Sequence, residues 1–235
     1  MNVVSLMAHQ DDELMCLGTM LRMRARGDRL HFICITDGSC GMIQEPEMTR
    51  AEAAAVRDRE MRALVGRLGA TYQCLGEADE FLYDTPQVRL NLIGALRACE
   101  ADVIFTHAHP DYNLDHMTTN LLVRQCAMQG PFPMIKTPAP PLAAAPAVFL
   151  IEPSASFEFQ PTHYVDITPV VEEKRALARC HASQDEAFRA GLNKGLDDWI
   201  CEVSSQRGAQ VGVPHAEGFR PMFARGLVKP FAILP

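Results

Sequence analysis

Short apolar runs alternate with longer stretches of helical spacing along most of the chain, and this alternation limits the folds that the sequence can adopt. Five runs have the composition of buried strands: residues 3–8, 30–36, 72–75, 103–106 and 148–151. Four intervening stretches repeat apolar residues at helical spacing: residues 17–26, 49–68, 88–98 and 116–128. The order strand, helix, strand predicts parallel β-α-β units.

The remaining segments are less regular. Residues 130–147 are rich in proline and alanine and predict an irregular loop, which we expect to lie near the functional site. In the C-terminal third the sequence predicts helices over residues 169–181 and 185–191, which would cover an edge of the sheet. The length is typical of one domain, so residues 1–235 are expected to form a single domain.

Composition excludes several classes of partner. The net charge of −7 is spread along the chain without a stretch rich in lysine and arginine, which excludes nucleic acid. The most apolar long stretch, residues 138–151, contains four prolines, so no membrane partner is expected. The eight cysteines form no C-x-x-C pair and are expected to be reduced thiols. We find no export signal at the N-terminus, and the expected compartment is the cytoplasm.

A polar cluster, Ala8-His-Gln-Asp-Asp-Glu13, follows directly on the first predicted strand. In open α/β sheets ligands bind outside the carboxyl ends of the strands, where this cluster is expected to lie. His9 and Asp12 are three residues apart on a chain entering a helix, so both can converge on one ion, while Asp11 points elsewhere. The alternative is that Asp11 and Asp12 only stabilise the helix N-terminus.

A second cluster, residues 107–116, follows the fourth predicted strand and contains His107, His109 and His116 together with two aspartates. Because its strand is also parallel, we expect it at the same edge of the sheet. The alternative interpretation is a solvated loop, in which histidine and aspartate are common.

Two histidines and one carboxylate, with a fourth position left to water, form a ligand set that catalytic zinc uses. His9, Asp12 and His116 supply such a set. Zinc lowers the pKa of its water toward neutrality, so Asp11 would remove only a weakly held proton during attack on an amide carbonyl. Sites of this composition also accept other ions, so the sequence predicts Zn²⁺, with Fe²⁺ or another divalent metal as the alternative.

The two clusters resemble the motifs of the LmbE-like or PIG-L-like zinc-dependent N-deacetylases. The first motif of that family reads A-H-P-D-D-E, and the second ends in D-H. Similar segments continue along the chain: Thr36-Asp-Gly, Arg57-x-x-Glu60, residues 165–168 and, after Lys174, residues 181–184. The resemblance extends from about residue 2 to residue 220. It implies a three-layer α/β/α, Rossmann-like fold with a mostly parallel sheet.

The resemblance also implies site residues and an activity. Metal is expected on His9, Asp12 and His116, with Asp11 as the general base that later protonates the leaving amine. Arg57 is expected to contact substrate hydroxyls, although an ion pair with Glu60 or another neighbour on the surface explains it equally well. The implied reaction removes an N-acyl group, acetyl above all, from a small-molecule amino sugar or glycoconjugate. A homo-oligomer is left open.

The chain departs from the family pattern at two positions. Gln10 stands where the family has proline, which changes the stiffness of the loop but supplies no ligand. Asn113 stands where many members have histidine; asparagine can donate a hydrogen bond to an oxyanion but cannot act as an acid near neutral pH. Proton delivery would then fall to Asp11, His107 or His109, although either histidine can instead orient a ligand.

Three other functions remain to be weighed against deacetylation. The same site can act on another amide, such as that of a thiol conjugate or one with an acyl chain longer than acetyl, and a metal-free sugar-binding protein can share the scaffold. A dinucleotide-binding protein would carry a glycine-rich turn after the first strand, where this chain has histidine and acids. For His181 and Gln184 the simpler interpretation is a buried polar pair that ties the C-terminal segment to the sheet.

Overall fold

The computed structural model describes residues 1–154 and 158–222. Its strands are β1 (Asn2–Met7), β2 (Arg29–Thr36), β3 (Thr71–Glu77), β4 (Val103–Thr106), β5 (Ala147–Leu150), β6 (His163–Asp166) and β7 (Ala216–Pro221). Within the described ranges they form one sheet in the order β3-β2-β1-β4-β5-β7-β6. The five strands from β3 to β5 are parallel, and β7 pairs antiparallel with both β5 and β6. The sheet is therefore mostly parallel, as predicted.

Helices cover both faces of this sheet. They are α1 (Leu17–Ala25), α2 (Arg50–Leu68), α3 (Pro86–Ala98), α4 (Leu114–Gln129), α5 (Val171–Ala178), α6 (Ala182–Leu192) and α7 (Leu196–Val211). One buried cluster joins one face of the sheet to α1, α2, α5 and α7, and a second joins the other face to α3 and α4. The three-layer α/β/α arrangement is confirmed. Of the helices described, none is both long and apolar enough to cross a membrane.

Local signals explain where the longer helices begin and end. The α2 helix starts at a reciprocal cap, in which the Thr49 side chain accepts from the Glu52 amide while the Glu52 carboxylate accepts from that of Thr49. It ends at Gly69, whose φ of 63° is in the left-handed region that glycine adopts without strain. The α3 helix begins with Pro86 after the capping residue Thr85.

The C-terminal third differs from the prediction. The helix predicted over residues 169–181 is a 3-10 turn, Thr168–Val170, followed by the shorter α5, and the predicted helix 185–191 extends over the whole of α6. The α7 helix and strands β6 and β7 were not predicted. Strand β7 contains Gly218 and Pro221 and buries Glu217, so it lacks the apolar pattern of a strand. The segment thus extends the sheet as well as covering it.

The proline- and alanine-rich loop is irregular as predicted, but its expected place near the functional site is wrong. It leaves the C-terminal end of α4 and enters β5, where the Ala147 amide donates to the Asp102 carbonyl. The buried Arg97 side chain donates to the carbonyls of Gly130, Phe132 and Ile135. Because α4 runs back from the carboxyl ends of the strands to their amino ends, this loop lies at the amino ends of the strands, whereas the polar clusters lie at the carboxyl ends.

Candidate active site

The two polar clusters meet because β1 and β4 are neighbouring parallel strands. His9 follows β1, and Asp12 begins a 3-10 turn, Asp12–Met15, that leads toward α1. His116 lies in the first turn of α4, which follows β4. The fold thereby brings His116 to His9 and Asp12, which lie more than a hundred positions earlier in the chain.

The ligand atoms of these residues have the spacing of a metal site. His9 Nδ1 lies 3.2 Å from His116 Nε2, and the Asp12 carboxylate oxygens lie 3.4 Å from His9 Nδ1 and 3.3 Å from His116 Nε2. Bonds of about 2.0–2.1 Å in a tetrahedral zinc site place neighbouring ligand atoms roughly 3.3 Å apart. The observed triangle has the spacing that such a cation would need, and all three residues line the cavity.

Carboxylates contact the other nitrogen of each histidine. Asp79 Oδ1 lies 3.0 Å and Asp115 Oδ2 lies 3.4 Å from His9 Nε2, and Asp111 Oδ2 lies 3.1 Å from His116 Nδ1. Negative charge at these distances favours a proton on the outer nitrogen, which would leave the inner nitrogen of each ring as the ligand. The sequence analysis assigned no role to these three aspartates. The signal for Asp79 was an acidic residue just after β3.

The triangle is built for positive charge. Burial lowers the pKa of His116, but Asp12 and Asp111 outweigh burial and raise that pKa to about 9. A cation bound in the triangle satisfies the same carboxylates in place of the proton.

Asp11 borders the triangle without belonging to it. None of the three groups of described residues with metal-binding spacing includes Asp11, although it lines the same cavity. Its φ of 106° is in the left-handed region, and its amide donates to Glu13 Oε2 at 2.9 Å. Burial raises the pKa of Asp11 to about 6; Arg57 opposes this shift and Asp12 adds to it. These contacts direct the carboxylate toward the cavity.

Arg57 is in the interior and not in a surface ion pair. It is 2% exposed, its Nη2 lies 3.1 Å from Asp11 Oδ1 and donates to the Gln10 carbonyl, and its Nη1 lies 3.5 Å from Glu60. Its Nε has no hydrogen-bond partner and the side chain lines the cavity. The structure thus makes Arg57 a neighbour of the predicted base, and its contact with substrate stays a prediction.

Asn113 has a structural role that the sequence analysis missed. Its side-chain oxygen accepts from the amides of Asp115 and His116 and so caps α4. Its Nδ2 donates to Glu80 at 3.3 Å at the edge of the cavity. These hydrogen bonds fix the orientation of the Asn113 side-chain amide. Its role as a donor to an oxyanion stays a prediction.

The two remaining candidate histidines do not line the cavity formed by the described residues. His107 is 2% exposed, stacks on His116 and accepts at Nε2 from the Ala8 amide. Burial lowers its pKa to about 4, which keeps the ring neutral. His109 is exposed, and its carbonyl accepts from Arg220. His107 thus supports the ligands from behind, and proton delivery by either histidine stays a prediction.

The other residues noted in the sequence make polar contacts around the site. Gln10 is fully buried and donates to the Tyr72 hydroxyl, so it is not a ligand. His181 Nε2 lies 2.7 Å from Glu13 Oε1, and Gln184 donates to the Gly41 carbonyl at 2.9 Å. They tie the start of α6 to loops around the site. His181 is buried as predicted, whereas Gln184 is half-buried and lines the cavity, and its side chain does not pair with that of His181.

The triangle opens onto a cavity of about 230 Å³. Among its described lining residues, carboxylates outnumber cationic side chains: Asp11, Asp12, Asp79 and Glu80, with Arg57. The lining also includes five apolar side chains: Leu14, Met15, Phe188, Leu196 and Trp199. A ligand of this cavity therefore meets both polar and apolar side chains.

Comparison with known proteins places this site in a family. A 4-oxalmesaconate hydratase from Pseudomonas putida is 25% identical over 93% of this chain and 88% of the relative. The structure resembles that of N,N'-diacetylchitobiose deacetylase from Pyrococcus horikoshii, with a TM-score of 0.80, 24% identity and coverage of 98% of this chain and 87% of that chain. It also resembles 4-carboxy-2-hydroxymuconate hydratase from Pseudomonas putida, with a TM-score of 0.82, 24% identity and coverage of 99% and 100%.

A family model described as PIG-L: GlcNAc-PI de-N-acetylase matches residues 4–127, which include most of β1, the strands β2 to β4 and all three residues of the ligand triangle. The match extends over more than half of the chain. The chain belongs to the PIG-L, or LmbE-like, family.

Proposed function

We propose that the protein is a metal-dependent hydrolase that removes an N-acyl group, acetyl in the first instance, from an amino sugar or sugar-containing metabolite. The observation that carries this proposal is the triangle of His9, Asp12 and His116 with the carboxylate of Asp11 beside it and outside it. Hydrolysis of an amide needs both an electrophilic centre and a base, and this arrangement provides a place for each.

The donor set favours Zn²⁺, with Fe²⁺ or another divalent ion as the alternative. When bound, such an ion lowers the pKa of water and polarises a carbonyl oxygen. Asp79 and Asp111 hold the ligand histidines in the orientation that binding requires.

Asp11 is assigned the proton transfers. It lies at the cavity surface, is held by Arg57 and has a raised pKa, so it can take a proton from the attacking water and return it to the leaving amine. Asn113 Nδ2 is assigned to the carbonyl oxygen as negative charge develops there. Arg57, which lines the cavity, is assigned to a substrate hydroxyl.

A second candidate reaction is the addition of water to a carbon–carbon double bond of an unsaturated acid. The observation that favours it is the similarity to the hydratase over 93% of the chain. The cavity argues against it, since Arg57 is the only arginine or lysine in its described lining and is already paired with Asp11, which leaves a substrate with several carboxylates without a free cationic side chain there. We therefore place deacylation first.

The test separates coordination from proton transfer. We expect the zinc-loaded protein to release acetate from N-acetylated amino sugars and a chelator to abolish that release. Asp11→Asn should keep one metal per chain and lower kcat by about 100-fold to 10,000-fold, whereas His116→Ala should lose both metal and activity. Elemental analysis and acetate detection give the two readouts.

Asp84→Asn is the control, because Asp84 is exposed and paired with Arg89 away from the cavity. Metal retained by His116→Ala would refute the ligand set. Water addition to an unsaturated dicarboxylate without acetate release would favour the second reaction. Failure to bind metal under reconstituting conditions would favour a sugar-binding protein without catalytic activity.

A further inference from the structure

The peptide group between Gln10 and Asp11 is held by hydrogen bonds on both sides. Its carbonyl oxygen accepts from Arg57 Nη2, and its N–H, the amide of Asp11, donates to Glu13 Oε2 at 2.9 Å. Asp11 has a φ of 106°, in the left-handed region that a residue with a side chain adopts only when its surroundings impose it. The two hydrogen bonds therefore keep the main chain at Asp11 in this conformation and direct its carboxylate.

The Glu13 carboxylate is itself held by His181. Glu13 is 1% exposed, and His181, which immediately precedes α6, is fully buried. His181 Nε2 lies 2.7 Å from Glu13 Oε1, while Oε2 accepts from the Asp11 amide. A buried carboxylate is stable only when it is paired or hydrogen-bonded. The contact with His181 thus fixes one oxygen of Glu13 and, through the planar carboxylate, the direction of the other.

Ser183, two residues further along, supports the other side of the same peptide group. Its Oγ accepts from Arg57 Nη1 at 3.4 Å and donates to Glu60 Oε2 at 2.7 Å. Glu60 Oε2 also lies 3.5 Å from Arg57 Nη1, so the guanidinium is held between α2 and α6. Both hydrogen bonds to the peptide group are therefore supported from the start of α6.

We propose that His181 is a positioning residue for the general base Asp11 and that it acts through Glu13. The start of α6 is then part of the catalytic apparatus and not only a connection between the C-terminal segment and the sheet. Neither His181 nor Glu13 belongs to a described group with metal-binding spacing, and neither is among the described residues that line the cavity. This inference rests on the proposed function for the role of Asp11.

The first measurement follows the Asp11 amide and needs no activity. In the zinc-loaded protein we expect His181→Leu to raise the exchange rate of this amide, measured by NMR, by about fivefold or more, with zinc still at one per chain. His181→Gln should restore slow exchange, because its side-chain amide can donate to Glu13 in place of the ring. Arg97→Met is the matched control: Arg97 is 2% exposed and lies at the amino ends of the strands, so its loss should leave the Asp11 amide unchanged.

The second measurement separates positioning from stability. For acetate release from N-acetylglucosamine and N,N'-diacetylchitobiose, we expect His181→Leu to lower kcat by about 10-fold to 100-fold and to change KM by less than about threefold. The double variant Glu13→Met with His181→Leu removes both members of the buried pair, so it should regain stability in urea but not kcat. The double variant also replaces His181→Leu if the single variant does not fold.

Unchanged exchange of the Asp11 amide in these variants, or a kcat that recovers together with stability in the double variant, would overturn the positioning role. Acetate release at the original kcat by His181→Leu would keep the proposed hydrolysis and reject the positioning role. Faster exchange of the Asp11 amide, without acetate release by the unmutated protein, would support the connection from His181 to Asp11 and reject the proposed hydrolysis.

Discussion

At the scale of single residues, the ligand triangle depends on carboxylates that lie behind it. Asp79 comes from the loop after β3 and contacts His9, and Asp111 comes from the loop after β4 and contacts His116. Asp79 Oδ2 also accepts from the Cys40 amide at 2.7 Å, so its orientation is set by a third loop. Such outer partners fix the tautomer and orientation of ligand histidines and raise their basicity.

Replacing either carboxylate by its amide should weaken metal binding without unfolding the protein. We expect Asp79→Asn and Asp111→Asn each to lower zinc affinity by about 10-fold to 100-fold. Competition with a chromophoric chelator measures this affinity, and circular dichroism verifies the fold. Asp84→Asn, on the same loop as Asp79 but exposed, should keep the original affinity; equal affinity in all three variants would show that the carboxylates do not support the ligands.

At the scale of elements, the loops after β1 and β2 interlock. Gly38 has a φ of 70°, and a Cβ at this position would collide with the Oε1 of the fully buried Gln10. Gln10 in turn donates to Tyr72 on β3. Gln10, which replaces the usual proline of the motif, thus joins the loops after β1 and β2 to strand β3.

Gly38→Ala should destabilise the protein by about 1–3 kcal/mol, because it adds both left-handed strain and a collision. Gly66→Ala is the matched control: Gly66 lies inside α2 with nothing within 4 Å of an added Cβ, so this change should stabilise by up to about 1 kcal/mol. Urea unfolding measures both free energies. A neutral Gly38→Ala would mean that the two loops can separate.

The α4 helix carries His116 in its first turn, and its cap is therefore part of the site. Asn113→Ala removes the acceptor for the Asp115 and His116 amides and should cost about 1 kcal/mol of stability, whereas Asn113→Asp keeps the acceptor and should cost little. Denaturant unfolding tests this pair. If both variants were equally destabilised, the loss would lie in the contact with Glu80 and not in the cap.

At the scale of the whole molecule, the buried carboxylate of Glu217 connects the C-terminal third to the part that matches the family. Lys174 on α5 lies 2.8 Å from Glu217 on β7, and each side chain is 3% exposed. Glu217 also accepts from the amides of Gly18 and Thr19 at the start of α1. One carboxylate thereby holds α1, α5 and β7 together near the turn that carries Asp12.

Removing one member of this pair should be costly, since it leaves the other charge buried without a partner. We expect Lys174→Met to destabilise by about 3 kcal/mol or more and the combination with Glu217→Gln to recover part of that loss. Lys194→Ala is the comparison, because its pair with Glu202 is on the surface and should contribute little. Additive effects in the double variant, measured by denaturant unfolding, would contradict direct pairing.

Much of the architecture follows from the sequence alone. Apolar periodicity predicts the five parallel strands and the four helices between them. Each strand or helix must bury one or both of its faces, and this requirement is visible in the spacing of apolar residues over a short stretch of sequence. The same order places His9 and His116 after strands of a parallel sheet, and their approach to Asp12 follows from the common edge of those strands. Local chemistry therefore determined the layers and the position of the three candidate ligands.

Only the tertiary structure decided which side chains surround that triangle. The packing of β3, α6 and α7 against the site brings Asp79, Phe188 and Trp199 to the cavity. His107 lies behind the candidate ligands, and His109 lies outside the cavity lining. The proline- and alanine-rich loop lies at the opposite end of the sheet. These contacts join residues far apart in sequence, and they depend on strand order and loop path. Local periodicity encodes neither the strand order nor the path of the loops, because the burial that favours them exists only once the whole sheet has formed.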